Sequence, residues 1–295
     1  MKRSLYTYTS LALCALLMLY SGCGVLQGGH KVTPPKDPKV ASCEPGKWGG
    51  TLKVALIGAP ATFNPFQVPN PETYEVTSKL FGTLLDYDYA NQKFNSPVDG
   101  LARSIDSLQD GKTFVIHLRE ASFSNGAPIT SDDVIFSYQM AIDEKNESIY
   151  GDLLRIGPDK EPPKLTREDQ YTLRISFPLR YELVNMIFAR VPIVSKAALQ
   201  EAASKGTFIL KGYTPDKQIE LTYNPYYWKV DSSGTSLPYL DGVTYFLKTP
   251  REGQGEGFAK KEFHEAHLHP KKFKELKGND SLEVRDIGGS LNTWG

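Results

Sequence analysis

The chain has 295 residues, with 34 Lys+Arg against 34 Asp+Glu and a formal net charge of zero. Hydrophobic residues make up 40% and charged residues 23%, the composition of a folded globular protein rather than a disordered tail or a fibre. The even charge balance argues against a general nucleic-acid binder, and three cysteines exclude a disulfide scaffold.

The length allows roughly two domains of about 150 residues. No stretch of about 20 apolar residues appears, so no ordinary membrane span is expected. The N-terminus reads as an address. Lys2 and Arg3 precede the apolar run Leu11 to Tyr20, too short to span a bilayer and suited to the core of a signal peptide. Ser21-Gly22-Cys23 resembles the bacterial lipobox, in which cleavage precedes the cysteine and its thiol takes a diacylglycerol; Tyr20 stands where Leu is preferred. A plain secretory signal is the alternative. Cleavage there would remove Lys2 and Arg3 and no acid, leaving a small acidic excess. Residues 24 to about 50 are rich in Gly, Pro and Lys, show no apolar period and read as a flexible tether. Cys43 lies within it, as an incidental exposed cysteine or a functional thiol.

Thr51 to Ile57 is a β-branched-rich run, the expected first strand, followed by the loop Asn64-Pro65-Phe66. Glu72 to Leu85 carries Val76, Leu80, Phe81, Leu84 and Leu85 at helical spacing, with Gly82 a weak point. Thr113 to Arg119 alternates, and Asp110-Gly111 before it predicts a hairpin with Ser104 to Leu108. Asn125-Gly126 marks a turn. Thr130 to Asp133 then opens a helix, with acids at its positive end and a stripe of Val134, Ile135, Tyr138, Ala141 and Ile142. Tyr171 to Phe177 reads as a strand. Tyr181 to Ala189 and Ser195 to Ala203 read as short helices. Ile209 to Tyr213 and Ile219 to Tyr223 read as strands paired about Pro215-Asp216, and Val243 to Leu247 as a further strand. The mix is α/β or α+β.

Candidate chemistry is sparse. His264, His267 and His269 form an HxxHxH cluster, and on a helix His264 and His267 would share a face that could take zinc or nickel. Lysines on both sides would repel a cation, and a solvated polar helix is the other reading. Gly253, Gly255 and Gly257 suggest a phosphate loop, but the spacing is GxGxG and the Walker Lys-Ser/Thr is missing, so a flexible crossover is the competing account. No GxSxG occurs, His117 lies in a strand, and helix capping explains Asp132 and Asp133. No catalytic constellation is found, and the chain is expected not to be an enzyme and to need no cofactor.

Several blocks, in order, resemble the extracellular solute-binding proteins of family 5, the peptide-binding group of ABC importers. They are Gly49-Gly50-Thr51-Leu52 with Asn64-Pro65-Phe66; Leu84-Leu85-Asp86-Tyr87-Asp88 with Leu101-Ala102; Asp110-Gly111-Lys112-Thr113-Phe114 through His117-Leu118-Arg119, Phe123, Asn125-Gly126 and Pro128 to Val134; and Asn224-Pro225-Tyr226-Tyr227-Trp228 with Leu237 to Asp241. The third block is the most specific. Two departures stand out: the Gly-Pro step is absent around Lys205-Gly206-Thr207-Phe208, and Ile105 replaces a common Trp.

The resemblance implies an α/β, periplasmic-binding-protein-like two-lobed fold with an inserted subdomain. Its partition would be a lipoprotein signal over 1–22, a tether over 23–48, a first lobe over 49–70 and 195–248, the insertion over 71–194, and the start of a second lobe over 249–295. Family members are roughly twice as long, so the second lobe would be largely missing and the chain truncated. The implied function is a lipid-anchored binding protein, acylated at Cys23, that captures oligopeptides in the periplasm or cell envelope for an ABC permease, working as a monomer without nucleic acid. Ligand contacts are expected from Asn64, Pro65, Phe66, Tyr223 and Asn224. One alternative keeps the fold for nickel, haem or an oligosaccharide, with His264 and His267 as the metal candidates. The other is a non-transporting or degenerate surface lipoprotein fragment.

Overall fold

A tight turn joins the first two strands of one of two four-stranded sheets. Gly111 takes φ +64, which a residue without Cβ adopts freely, and Asp110 accepts from Lys112 N and Thr113 N. The computed structural model describes residues 25–27, 29–41, 43–88, 93–94, 100–197, 206–268, 270–277 and 279. In chain order these hold β1 (Val25–Gln27), β2 (His30–Val32), β3 (Lys39–Val40), β4 (Thr51–Ala55) and α1 (Pro71–Leu80). Then come β5 (Tyr87–Asp88), β6 (Lys93–Phe94), β7 (Ala102–Ser107), β8 (Thr113–Leu118), α2 (Ser131–Ile142) and α3 (Gly151–Leu154). The rest are β9 (Lys164–Arg167), β10 (Thr172–Ser176), α4 (Val184–Phe188), β11 (Phe208–Thr214), β12 (Gln218–Tyr223), β13 (Lys229–Val230), β14 (Gly242–Phe246), α5 (Arg251–Ala259) and α6 (Pro270–Leu276).

Strands β7-β8-β10-β9 form an antiparallel sheet whose inward residues Phe114, Ile116, Leu118, Leu173 and Ile175 are buried. Helix α2 is part of the same core. The Asp133 carboxylate accepts from Thr130 N at 2.9 Å, Thr130 Oγ1 at 2.8 Å and Lys196 N at 3.0 Å, which fixes where the helix begins. Val134, Tyr138 and Ala141 are buried, with Ile135 and Ile142 partly so, as the stripe predicts.

Strands β11-β12-β14-β4 form the second sheet, antiparallel except for the parallel pair β14–β4. Its smaller core joins Val54, Phe208, Ile219, Leu221, Val243 and Tyr245 to Val76 and Leu80 of α1. Helix α1 therefore packs on the sheet assigned to the first lobe, not with the insertion that the sequence partition starts at 71. It also ends at Leu80 rather than Leu85. Phe81 is extended (φ −123, ψ 135), Gly82 follows, and Leu84 and Leu85 enter the larger core. The expected helix over Ser195–Ala203 lies mostly outside the described residues, and Ser195 to Ala197 are not helical.

The N-terminal tether is also corrected where it is described. Strands β1 and β2 pair as a hairpin, β3 runs parallel to β13, and His30 and Val32 are buried. Polar composition hides this because the arm docks through scattered contacts rather than an apolar period.

The chain returns from the larger core through Gly206, where a Cβ would lie 2.1 Å from the Lys79 carbonyl oxygen. Gly206→Ala should destabilise by about 1–3 kcal/mol in urea unfolding, because backbone cannot yield as a side chain can. The Tyr138 hydroxyl is fully buried with no hydrogen-bond partner among the described residues, and burial pushes its pKa up. Tyr138→Phe should raise the unfolding free energy by about 1 kcal/mol.

Candidate functional site

The Asn64-Pro65-Phe66 loop is laced to the start of α1. Asn70 caps the helix by accepting from Thr73 N and donates from Nδ2 to the Ala59 carbonyl at 2.8 Å. Gly58 N donates to Glu72 Oε1 and Ala61 N to Thr73 Oγ1. Asn64 Oδ1 accepts from Phe66 N at 3.0 Å, a local turn that drives Phe66 into the larger core at 3% exposure. The Phe66 carbonyl accepts from Ile149 N, and Gln67 Nε2 donates to the Asn146 carbonyl. Pro65 and Phe66 are thus buried fixtures, while Asn64 stays exposed with its carboxamide oxygen engaged in the turn. The surface they shape is a shallow hollow of about 380 Å³ lined by Ala61, Thr62, Gln67, Val68, Pro69, Glu147 and Ile149. Sequence reading finds the loop but misses these neighbours, because Glu147 and Ile149 join it only through the fold.

Tyr223 lines a second hollow, of about 390 Å³, with Lys31, Thr33, Ile209, Thr222, Pro225 and Tyr226. Its ring stacks on His30 at 4.1 Å and its hydroxyl accepts from Lys31 N. Asn224 is 1% exposed and faces inward: Nδ2 donates to the Gly206 carbonyl at 2.9 Å and Oδ1 accepts from Tyr226 N at 3.0 Å. Tyr226 lies against Gly126, Trp228 is buried in the larger core, and Lys229 pairs with Asp86 at 2.8 Å. The Asn224-to-Trp228 motif therefore joins the two cores.

His264 and His267 are not on a helix. His264 N donates to the Lys53 carbonyl at 2.8 Å, and its Nδ1 accepts from Lys53 N at 3.1 Å. With Glu265, which bridges Val54, this segment covers the outer edge of β4. His267 is held through its backbone N–H by Gln254 Oε1, and His269 lies outside the described residues. Among the described residues no three His, Cys, Asp or Glu side chains gather as a metal site. Gly253, Gly255 and Gly257 sit inside α5, not in a loop before a helix. Cβ atoms at the latter two would meet Lys272 and Phe263, so small residues let those chains approach. His117 is half-exposed between Asp106 and Thr172, and Asp132 pairs with Arg167. Cys23 and the signal segment lie outside the described residues; Cys43 is exposed.

Two carboxylates organise the segment from 231 to 241 and its contacts with the N-terminal arm. Asp241 is held below the usual carboxylate range, first by the hydrogen bond with His30 and then by Gly50 N. Asp231 accepts from the Tyr239 hydroxyl, Ser233 Oγ, Ser233 N and Thr235 N, which lowers its pKa to about 2.

A sequence profile described as "Bacterial extracellular solute-binding proteins, family 5 Middle" matches residues 96–294. The periplasmic alpha-galactoside-binding protein of Rhizobium meliloti (strain 1021) is 31% identical over 183 residues, covering 52% of this chain and 26% of the relative. The periplasmic oligopeptide-binding protein OppA of Escherichia coli (strain K12) is 26% identical over 212 residues, covering 62% and 38%. The solved oligopeptide-binding protein AppA of Bacillus subtilis, in complex with a nonapeptide, superposes with a TM-score of 0.66 at 20% identity, over 79% of this chain and 47% of the other. The fold is thus α/β and of the periplasmic-binding-protein type. The chain belongs to the bacterial extracellular solute-binding proteins of family 5, and it spans 26% and 38% of the length of the two curated relatives.

Because folding lowers the Asp231 pKa, its contribution is full above the unfolded carboxylate value of about 3.9 and lost as pH falls through about 2. The gap in melting temperature between wild type and Asp231→Asn should be widest near pH 7 and close toward pH 2. An unchanging gap would mean that the charge contributes nothing.

Proposed function

We propose that this chain is the solute-binding part of an ABC importer, held to a membrane by lipid at Cys23 and capturing oligopeptides in the periplasm or cell envelope. Membership of the solute-binding family across residues 96–294 carries the reading. A solute-binding family also supports the expectation that the chain is not an enzyme. The hollow beside the Asn64 loop suits a ligand of varied side chains. Ala61, Thr62, Val68 and Pro69 are small and neutral, Gln67 offers an amide, and Glu147 offers a carboxylate to a cationic group. Rigid backing by Phe66 and Asn70 keeps that wall formed before a ligand arrives. The order of events is capture, closure about the ligand, and delivery to the permease.

An oligosaccharide is the second reading, favoured by the name of the Rhizobium meliloti relative. Against the nickel and haem alternatives, His264 Nδ1 accepts from the Lys53 amide and His264 and His267 share no helix face.

Calorimetry separates these. A mixture of tripeptides to pentapeptides should release heat with the wild type, and Ala61→Trp, which fills the hollow, should weaken binding more than tenfold. Heat from an α-galactoside and none from peptides would overturn the peptide reading. A cooperative melt with neither heat would favour a non-transporting surface protein. Peptide binding untouched by Ala61→Trp would place the ligand elsewhere.

A further inference from the structure

We propose that residues 29–41 and 43–48 form a docked strap that holds the lobe built on β4, β11, β12 and β14 flush against a lipid surface instead of letting it float on a leash. The inference rests on the lipid-anchor reading and adds the geometry of the anchored state. Backbone bonds tie the segment down: Thr33 N to the Pro225 carbonyl at 2.8 Å, Lys39 N to the Trp228 carbonyl at 3.1 Å, Ala41 N to the Val230 carbonyl at 2.8 Å and, just past its end, Gly49 N to the Tyr239 carbonyl at 2.8 Å. One side-chain cluster latches it. The His30 ring stacks on Tyr223, meets the edge of Trp48 at 4.3 Å, and its Nε2 bonds Asp241 Oδ1, while Asp241 Oδ2 accepts from Gly50 N at 2.9 Å. His30 is 5% exposed and Val32 2%.

The consequence is one of chain length. Val25 is already paired with Val32, so only the Cys23-to-Val25 span, at most about 7 Å, separates an acylated cysteine from structured backbone. A free coil over 23–48 would instead average about 28 Å end to end and could extend much further. The partner is a bilayer carrying anionic headgroups, which the exposed Lys31 and Lys47 on the strap would face.

The native thiol reports the distance. Cys43 is exposed, and the backbone three residues on, at Gly46, packs against the Tyr239 ring, which Trp48 links to His30. The lipidated full chain, labelled at Cys43 with a fluorophore, is placed in vesicles of phosphatidylethanolamine and phosphatidylglycerol containing a headgroup-nitroxide lipid. Strong quenching is expected for the wild type. His30→Ala and Asp241→Asn, which free the arm, should cut it by more than half. Thermal melts check that each variant folds, and His30→Ala decides if Asp241→Asn does not, because His30 lies outside both four-stranded sheets. Equal quenching in wild type and folded variants overturns the strap, as does weak quenching of an acylated wild type. Absence of an acyl mass on Cys23 sinks the anchor reading and the strap with it, so the two failures are distinguishable by mass spectrometry.

Discussion

The architecture depends on two aromatic side chains that leave one sheet and bury in the core of the other. Phe66 follows β4 and Trp228 follows β12, yet both belong to the cluster built on β8 and β10. Each would otherwise expose a large apolar surface, and burying one contributes about 1.5–3 kcal/mol. Around them sit the Lys229–Asp86 ion pair, the Ile149 N–H bond to the Phe66 carbonyl and the contact of Tyr226 with Gly126. These contacts set the position of one four-stranded sheet against the other, and so define the hollow shared by the Asn64 loop and residues 147–149.

That dependence explains what is legible in the sequence. Local signals are accurate where local physics decides. Asp110-Gly111 marks the β7–β8 hairpin, Pro215-Asp216 the β11–β12 hairpin with Asp216 at φ +60, and Thr130 with Asp133 the start of α2. The motif residues suggest ligand contacts because they cluster in loops after first-lobe strands. In this structure Pro65, Phe66 and Asn224 are buried and carry packing and backbone bonds. The lining residues Gln67, Glu147 and Ile149 carry no motif of their own, since a hollow assembled from segments some eighty residues apart has no sequence period.

The mismatches have a common cause as well. Leu84 and Leu85 keep helical spacing with Leu80 but serve a different core, so periodicity runs through a boundary that only tertiary packing imposes. The glycines of 253–257 resemble a loop because glycine is a poor helix former. Gly255 and Gly257 let Lys272 and Phe263 approach the backbone of α5 closely. The histidine pair makes a metal face only on a helix, and the segment is extended along β4.

Edge strands show the same economy of contacts. Left bare, β4 would present the Lys53 and Ala55 backbone groups to any passing strand. His264 and Glu265 satisfy them with two residues: Lys53 donates to the imidazole, the Lys53 carbonyl accepts from both backbone amides, and Ala55 N reaches the Glu265 carbonyl. The opposite edge, β11, carries a bulge between Leu210 and Gly212 and lies beside α1, with Tyr213 packed on Phe63. A bulge and an adjacent helix restrain one edge as the histidine clip restrains the other. Both borders of this sheet are therefore managed by residues of this chain.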